Sequence, residues 1–294
     1  MSNAESTTRL IGGGHWYGAY GTAPCPVCQT EGRDGQNALT IADGIKGLVL
    51  HCKKAGCSFQ DILRALNLAS GAFSPPESIT SARRENDRRS AAVKRDQWAK
   101  ELWNEAVPID GTIAETYLRS RSITCDLPDS LRFHPECWHP STKRLPALVA
   151  RVDGAKAFAV HRTYLRDDGA AKAAVEPTKA MLGSVVGGAV RLSTGPGPLV
   201  VAEGIETALS LNSGLLNGPL TVWAALSTSG MKALALPGTP DDLIIATDSD
   251  DAGAGWQAGN VLAERAHALG WQVSLLPAPD GQDWNDALCA GCAD

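Results

Sequence analysis

Two short apolar runs in the C-terminal third of the chain give its clearest hydrophobic pattern. Residues 198–202 (PLVVA) end at Glu203. Residues 243–247 (LIIAT) end at Asp248 and, two positions further on, Asp250. Apolar runs of this length, bounded by glycine and proline, are typical of buried strands in a parallel sheet. Because chemistry in open α/β sheets collects at the carboxyl ends of the strands, we expect these three acids to share one sheet edge.

Acidic side chains brought together in this way repel one another. Two carboxylates about 4 Å apart cost about 4 kcal/mol at an effective dielectric constant of about 20. A bound divalent cation removes this repulsion, and an all-oxygen ligand set favours Mg²⁺ or Mn²⁺. The pattern therefore predicts a metal site at the edge of the sheet.

Helical and strand patterns alternate along much of the remaining chain. The predicted helices cover residues 58–66, 98–106, 112–120, 206–216, 255–269 and 283–288. Besides the two apolar runs, the predicted strands cover residues 38–41, 48–50, 145–152, 157–164, 189–192, 221–226 and 271–275. The strands at 145–152 and 157–164 are joined by Asp153-Gly154, a good hairpin turn. The predicted fold class is α/β, with a mainly parallel sheet preceded by an α+β subdomain and a small ribbon.

Two close cysteine pairs near the N-terminus have the spacing of a metal site. Cys25 and Cys28 form the first pair, and Cys52 and Cys57 form the second. Two such pairs, each on a turn, bring four thiolates into a tetrahedron around zinc. The two predicted strands between the pairs complete the pattern of a zinc ribbon. The alternative interpretation is that the four are unliganded core cysteines.

His51 lies beside the second cysteine pair and could replace Cys52 as a zinc ligand, although we favour Cys52. A module of this size buries too little apolar surface to fold alone. The bound metal would therefore supply part of its folding free energy.

The region between the ribbon and the middle of the chain has the composition of a linker. Pro75-Pro76 lies among serine and glycine, and residues 81–95 are rich in arginine and lysine. A charge run of this kind is more often a solvated helix face than a nucleic-acid contact. Residues 1–16 are polar and glycine-rich, and we expect them to be a flexible lead-in to the ribbon.

The net charge of −5 over 294 residues does not indicate a nucleic-acid-binding protein by itself. Lysine and arginine are nevertheless concentrated in residues 83–95 and 144–191. Because attraction to phosphate is local and salt-dependent, a basic stripe is sufficient for binding a polyanion.

The sequence also bears on compartment. No apolar stretch is long enough for a membrane span, so no membrane partner is expected, and the first residues lack the pattern of a signal peptide. Four of the eight cysteines have metal-ligand spacing rather than a disulfide pattern. We therefore expect a reducing, cytoplasmic location.

Three acidic motifs carry a family resemblance. Residues 203–208 (EGIETA), 248–253 (DSDDAG) and 283–286 (DWND) follow one another in the order seen in the Toprim domain. The chain resembles that family, which includes bacterial-type primases, type IA and type II topoisomerases and some nucleases. The third motif is similar to the one that closes the primase version of the fold. The alternative is that these acids are helix caps and solvated loop residues.

The resemblance to primases extends upstream of the acidic motifs. The four-cysteine ribbon followed by a helix resembles the zinc-binding module of bacterial and phage primases, where it is thought to read the template. The middle block resembles the basic subdomain that precedes Toprim in those enzymes. It implies that Arg162, Lys172 and Lys179 handle nucleotide phosphates, and Lys232 follows a turn near the site. The resemblance implies a ribbon module at 1–70, a charged linker at 71–95, an α+β subdomain at 96–194 and a catalytic Toprim domain at 195–294.

The same resemblance assigns roles to the acids. Glu203, Asp248 and Asp250 would be the catalytic residues, and together with Asp283 they would hold Mg²⁺ or Mn²⁺. Glu203 would bind a second metal or act as the general base on an attacking 3′-hydroxyl. Glu206, one helical turn further on, is the weaker candidate.

The implied function is a DNA primase, a nucleotidyltransferase that makes short primers on single-stranded DNA from nucleoside triphosphates. The implied cofactors are structural Zn²⁺ and catalytic Mg²⁺ or Mn²⁺. The sequence has no GxxxxGK[ST] motif, so a separate replicative helicase is the expected partner, whether in a host chromosome or in a mobile element. The alternatives are a Toprim nuclease or topoisomerase-like enzyme, and a non-catalytic, zinc-containing single-strand-binding adaptor.

Overall fold

The computed structural model describes residues 3–31, 37–44, 47–68, 78–249 and 253–291. The chain divides into two compact units, Met1–Ala91 and Ala92–Asp294. No helix in the described ranges combines the length and the apolar character that crossing a bilayer requires.

The N-terminal unit is built on a four-stranded antiparallel sheet. Its elements are α1 (Ala4–Leu10), β1 (His15–Trp16), β2 (Tyr20–Ala23), β3 (Leu39–Asp43), β4 (Leu48–Cys52) and α2 (Phe59–Ala65). The strands pair in sequence order, and the small core is closed by Leu39, Ile41 and Ile62, which are fully buried.

Helix α1 replaces the flexible lead-in expected from the sequence. Asn3 and Ser6 form a capping box, in which the Asn3 side chain accepts a hydrogen bond from the Ser6 amide at 2.8 Å. The amide of Ala4 donates to Asp43 on β3 at 2.7 Å. The glycines that suggested flexibility lie after this helix, where they do not oppose it.

The C-terminal unit begins with a long helix and an antiparallel sheet. Helix α3 (Ser78–Glu105) begins before the unit boundary, and its C-terminal part belongs to this unit. The elements that follow are β5 (Val107–Pro108), α4 (Ile113–Ser120), β6 (Leu131–Trp138), β7 (Arg144–Val152), β8 (Ala159–Tyr164) and β9 (Lys179–Leu182). The five strands pair in sequence order. Helix α3 begins inside the segment that was expected to be a linker. Strand β6 was not predicted, because Pro135 within it suggested a loop; the strand register shifts between His134 and Cys137.

The second sheet of this unit is mainly parallel. Its elements are β10 (Val190–Ser193), β11 (Leu199–Ala202), α5 (Ile205–Ser210), β12 (Thr221–Ala224), α6 (Thr228–Ala233), β13 (Asp242–Thr247), α7 (Ala254–Ala268), β14 (Gln272–Pro277) and α8 (Trp284–Gly291). The strand order is β10-β12-β11-β13-β14, and only β10 runs antiparallel to its neighbour. The predicted α/β fold class with a mainly parallel sheet is confirmed.

Helix α5 is shorter than the pattern suggested. The α-helical part ends at Ser210, and the chain then forms a π-helical turn at Leu211–Leu215. Gly214 has a φ of 114°, which only glycine adopts readily and which stops the helix.

One hydrophobic core connects the two sheets of the C-terminal unit. It includes Leu148 and Val152 on β7, Val200 on β11 and Val222 on β12, all at most 4% exposed. Residues of the antiparallel sheet and residues of the parallel sheet therefore share a single buried interior.

Strands β11 and β13 are adjacent and parallel, with Ala202 opposite Ala246. The residues that follow these two positions therefore emerge at the same edge of the sheet. This register is what brings Glu203 and Asp248 to one pocket.

Candidate functional site

A pocket of about 420 Å³ opens at the carboxyl ends of β11 and β13. It is lined by acidic, basic and small residues: Arg121, Lys172, Lys179, Glu203, Gly204, Glu206, Thr207, Leu226, Asp248 and Asp283. Both signs of charge therefore meet in one cleft, with acids from the parallel-sheet half and lysines from the antiparallel-sheet half of the unit.

The predicted acids reach this pocket from three different elements. Glu203 follows β11, Asp248 follows β13, and Asp283 immediately precedes α8. Thr207 lies between them, with its hydroxyl 3.3 Å from each carboxylate oxygen of Asp248. Asp250 lies outside the described residues, so its position relative to the other acids stays a prediction.

Asp283 has a second role as the helix cap of α8. Its Oδ1 accepts a hydrogen bond from the Asp286 amide at 2.7 Å, which is N-cap geometry. The alternative interpretation of the acids as helix caps therefore applies to Asp283 in part, since the same residue also lines the pocket.

The acids suit a hard cation that keeps part of its water shell. Within the described ranges, four cysteines are the only group of three or more potential metal ligands that converges closely, so Glu203, Asp248 and Asp283 line the pocket without forming a closed cage. Mg²⁺ is usually held by one or two carboxylates plus waters and substrate phosphates. The carboxylate oxygens on the acidic side of this open pocket therefore suit Mg²⁺ or Mn²⁺.

Glu206 is a buried acid of the pocket with three side-chain partners. Its side chain is only 7% exposed, and its two carboxylate oxygens together contact three side chains. Oε1 accepts from the Tyr117 hydroxyl at 2.9 Å and lies 3.0 Å from Lys172 Nζ. Oε2 lies 3.4 Å from Lys179 Nζ. Glu206 is therefore the counter-ion of both pocket lysines.

The pKa values of this network follow from burial and from the charges within it. Burial opposes ionisation of Glu206, but Lys179 and Lys172 overcome it and hold the pKa of Glu206 far below its usual value. Burial, together with the charge of Glu206, raises the pKa of the Tyr117 hydroxyl, so it stays a donor.

The two lysines shift in opposite directions. Burial lowers the pKa of Lys172 despite the attraction of Glu206. For Lys179, burial is outweighed by Glu206, and its pKa is raised. Burial therefore dominates at Lys172, whereas the charge of Glu206 dominates at Lys179, although Lys172 makes the shorter contact to Glu206.

Three residues that line the pocket or lie near its charged groups were not predicted from the sequence. Tyr117 and Arg121 come from α4 and its C-terminal end, and His161 is a buried residue of β8. Arg121 lines the pocket directly, and its Nε is buried with no hydrogen-bond partner among the described residues. Burial lowers the pKa of His161 to about 4, and the nearby charge of Lys179 acts in the same direction. A helix of ordinary amphipathic pattern gives no sequence signal that these side chains face a site.

Two residues predicted to contact nucleotide lie elsewhere. Arg162 is 7% exposed, and its guanidinium donates to the carbonyl oxygens of Trp138 at 2.9 Å and Met181 at 3.2 Å. It belongs to the opposite face of the antiparallel sheet and supports the fold there. Lys232 lies exposed near the end of α6 and is not part of the pocket lining.

The four N-terminal cysteines form a second candidate site. The sulfur atoms of Cys25, Cys28, Cys52 and Cys57 all lie within 4.8 Å of one another, and the Cys28 and Cys52 sulfurs are 3.5 Å apart. Four thiols at this spacing match the size of a tetrahedral zinc site, in which each Zn–S bond is about 2.3 Å. His51 points to the exposed face of β4, outside this cluster.

The local electrostatics favour ionisation of one thiol first. Burial opposes ionisation of Cys52, but backbone amides of Ala55, Cys57 and Lys54 lower its pKa to about 6. Burial and the neighbouring thiols raise the pKa of Cys57 to about 12. Cys52 is therefore more readily ionised than Cys57, and the thiolate is the form of cysteine that binds a metal.

Comparison with protein families identifies two regions of the chain. Residues 198–294 match a family model described as a Toprim domain. Residues 93–192 match a model described as a domain of unknown function, DUF7146. The chain thus combines a Toprim domain with a four-cysteine, zinc-ribbon-like module, and the Toprim domain predicted from the acidic motifs is confirmed.

Comparison with curated proteins gives no match. Among solved structures, a DNA primase domain from Pseudomonas aeruginosa is 17% identical, with a TM-score of 0.38 over 62% of this chain and 68% of that one. The zinc-binding and RNA polymerase domains of the Aquifex aeolicus primase are 13% identical, with a TM-score of 0.37 over 99% and 83%. The primase fragment of the bacteriophage T7 primase-helicase protein is 13% identical, with a TM-score of 0.33 over 92% and 94%.

Proposed function

We propose that this protein is a DNA primase, a nucleotidyltransferase that joins nucleotides into short primers on a single-stranded DNA template. One observation carries the proposal: acids at the ends of two parallel Toprim strands face two lysines across a single pocket. Joining nucleotides needs this combination, because a metal-bound polyphosphate must be held between anions that grip the metal and cations that grip the phosphate.

In the proposed reaction, the 3′-hydroxyl of one nucleotide attacks the α-phosphorus of a nucleoside triphosphate. The new bond is O–P, and the bond to the leaving pyrophosphate breaks. Glu203 accepts the hydroxyl proton, and Lys172 and Lys179 donate to the phosphate oxygens of the incoming nucleotide. The hydroxyl of Thr207 orients the carboxylate of Asp248.

Asp248 and Asp283 are the residues that would hold Mg²⁺ or Mn²⁺, together with Asp250, while Glu203 serves as the base. The ion supplies charge neutralisation at the phosphates when it is bound. Arg121, on the same wall as the lysines, adds a further positive charge toward the substrate.

The N-terminal unit has a separate part in the proposal. Zinc bound by the four cysteines would keep this module folded, and the module would contact the template. A reducing cytoplasm suits these thiols, and a separate replicative helicase would present the single strand.

The test is to incubate the protein with single-stranded DNA, labelled nucleoside triphosphates and Mg²⁺ or Mn²⁺, and to size the products. Template-dependent oligonucleotides are expected with one of the two metals. Running ribonucleotides and deoxynucleotides in parallel reveals which of them the pocket accepts.

The same preparation should be assayed for nicking and for relaxation of supercoiled DNA. Cleavage or relaxation without primer synthesis would replace the proposal with a Toprim nuclease or topoisomerase-like activity. Single-strand binding without any of these activities would replace it with the adaptor function.

A further inference from the structure

The pocket contains one acid whose surroundings differ from those of a metal ligand. Glu206 is 5% exposed, and its carboxylate oxygens face Tyr117, Lys172 and Lys179. Glu203 and Asp248 instead follow strand ends and are partly exposed in the cleft. A carboxylate that already accepts from two ammonium groups and a hydroxyl has little capacity left for a cation.

We propose that Glu206 is a positioning residue: with Tyr117 it holds Lys172 and Lys179 side by side, and so sets how tightly the pocket binds the polyphosphate of a nucleotide. This inference rests on the proposed function, because it assumes that the two lysines receive nucleotide phosphates. It assigns Glu206 neither to the catalytic metal nor to proton transfer.

The geometry gives the reason why the lysines need an anchor. Lys172 forms an isolated antiparallel bridge with Leu165, which follows β8, and Lys179 begins β9, so the two lysines come from different segments. Their ammonium groups lie near one another and are partly buried, with side chains 30% and 40% exposed. Two like charges in such a place repel and lose solvation, and the carboxylate between them offsets both effects.

The anchored lysines can still bind phosphate. An ammonium group has three donors, so a lysine held by Glu206 can also donate to a phosphate oxygen. Tyr117, on α4, completes the arrangement. Its hydroxyl donates a hydrogen bond to Oε1 of Glu206 and so fixes the orientation of the carboxylate.

Replacing Glu206 has two opposed effects on nucleotide binding. Loss of a negative charge makes the pocket more positive, which strengthens attraction to phosphate. Loss of the anchor lets the lysines separate, which weakens it. Charged groups in direct hydrogen-bond contact outweigh a diffuse change of potential, so we expect the loss of position to dominate.

The experiment measures equilibrium binding of a fluorescent nucleoside triphosphate, and separately of Mn²⁺, to the full-length protein. Glu206→Gln should weaken nucleotide binding about tenfold, and raise KM by a similar factor, while leaving the Mn²⁺ affinity within about twofold. Glu206→Asp keeps the charge but shortens its reach, and should recover part of the loss. Tyr117→Phe should weaken nucleotide binding by about threefold.

A double-variant cycle distinguishes positioning from general damage. Lys179→Met should lower nucleotide affinity in the wild-type background and have a smaller effect in the Glu206→Gln background, since the lysine is already displaced. Glu264→Gln, which removes an exposed carboxylate of α7, is the matched control and should leave both affinities unchanged. If Glu206→Gln fails to fold, Glu206→Asp and Tyr117→Phe carry the same comparison.

The outcomes separate this inference from the proposed function. Nucleotide binding that Glu206→Gln leaves unchanged or strengthens overturns the inference alone. A fall in Mn²⁺ affinity also overturns it, because Glu206 would then be a metal ligand. A wild-type protein that binds no nucleoside triphosphate overturns the proposed function and, with it, the inference.

Discussion

Single side chains at the residue scale decide what the pocket can hold. Asp248 and Glu203 follow adjacent parallel strands, and Glu206 lies beneath two lysines. The two groups of acids differ in their neighbours rather than in their chemistry. Glu206 is buried and already accepts from two ammonium groups and a hydroxyl, whereas Glu203 and Asp248 are partly exposed in the pocket.

Replacing Asp248 tests the metal-holding acids. Asp248→Asn keeps the side-chain size and one acceptor oxygen for the Thr207 hydroxyl but removes the negative charge, so we expect primer synthesis to fall at least about a hundredfold. The fold should change little, because the residue lies at a strand end in an open pocket. Product gels and thermal unfolding measure the two effects.

Asp242→Asn is the matched control, since Asp242 is exposed at the opposite end of the same strand, β13. It should leave synthesis and stability unchanged. Full synthesis by the Asp248→Asn variant would remove Asp248 from the proposed site.

The buried His161 predicts a pH dependence of stability. Its pKa is lowered to about 4 in the folded protein, mainly by burial, from an ordinary value of about 6.5. The unfolded chain therefore binds more protons between these values, and stability is lost as the pH falls from about 6.5 toward 4. At pH 5 this histidine should cost about 2 kcal/mol relative to neutral pH.

Urea unfolding followed by tryptophan fluorescence at pH 7 and pH 5 measures this effect. His161→Leu should lose less stability between the two pH values than the wild type does. The exposed His267 serves as control, and His267→Gln should behave like the wild type. Parallel losses in all three proteins would show that His161 is protonated without cost.

At the scale of secondary-structure elements, the sequence predicts where a strand ends but not which face of the sheet each of its side chains occupies. The apolar runs that end at Glu203 and Asp248 mark where the chain leaves the sheet, and this can be predicted without knowing how the other elements pack. Strand β8 is buried at all six positions, so no alternation of apolar and polar residues indicates which face Arg162 or His161 occupies. Arg162 was predicted to handle phosphate because it matches the basic motif of the family that the chain resembles, and the structure instead places its guanidinium against the carbonyl oxygens of Trp138 and Met181.

Two substitutions of Asp283, at the start of α8, distinguish its role as a helix cap from the role of its negative charge. Asp283 caps this helix and also lines the pocket. Asparagine is as good an N-cap as aspartate, so Asp283→Asn should leave stability nearly unchanged, whereas Asp283→Ala should cost about 1 kcal/mol. Thermal unfolding of the two variants checks this.

Primer synthesis by the same two variants reveals the role of the charge. If Asp283 helps to hold the metal, both variants lose activity, despite their different stabilities. Activity that follows stability alone would leave Asp283 as a cap only.

The N-terminal unit depends on its four thiols as one element. Cys28→Ser removes one ligand from the cluster, so we expect loss of zinc and unfolding of this module. Metal analysis per chain and thermal unfolding are the measurements. Cys125→Ser, in the other unit, should keep zinc at the wild-type level, and zinc retained at full occupancy by the Cys28→Ser variant would refute the site.

At the scale of the whole molecule, the two candidate metal sites belong to different units and should respond differently to metal removal. Withdrawing Mg²⁺ and Mn²⁺ should stop synthesis and leave both units folded, and adding the ion back should restore activity at once. Removing zinc with a thiol-competing chelator should unfold the N-terminal unit. Circular dichroism and synthesis assays, recorded after each treatment, check this; unfolding on magnesium withdrawal would contradict it.

Strand β10 has a consequence for how this protein can be divided. It precedes residues 198–294, the part that matches the Toprim family, yet it forms the edge of that sheet by pairing with β12. A fragment that starts at residue 195 would lack β10 and would leave β12 as an exposed edge strand. The unpaired backbone groups of such a strand can pair with another chain, which leads to aggregation. Gene fragments that are cut between the two matched regions should therefore be insoluble when they are expressed alone.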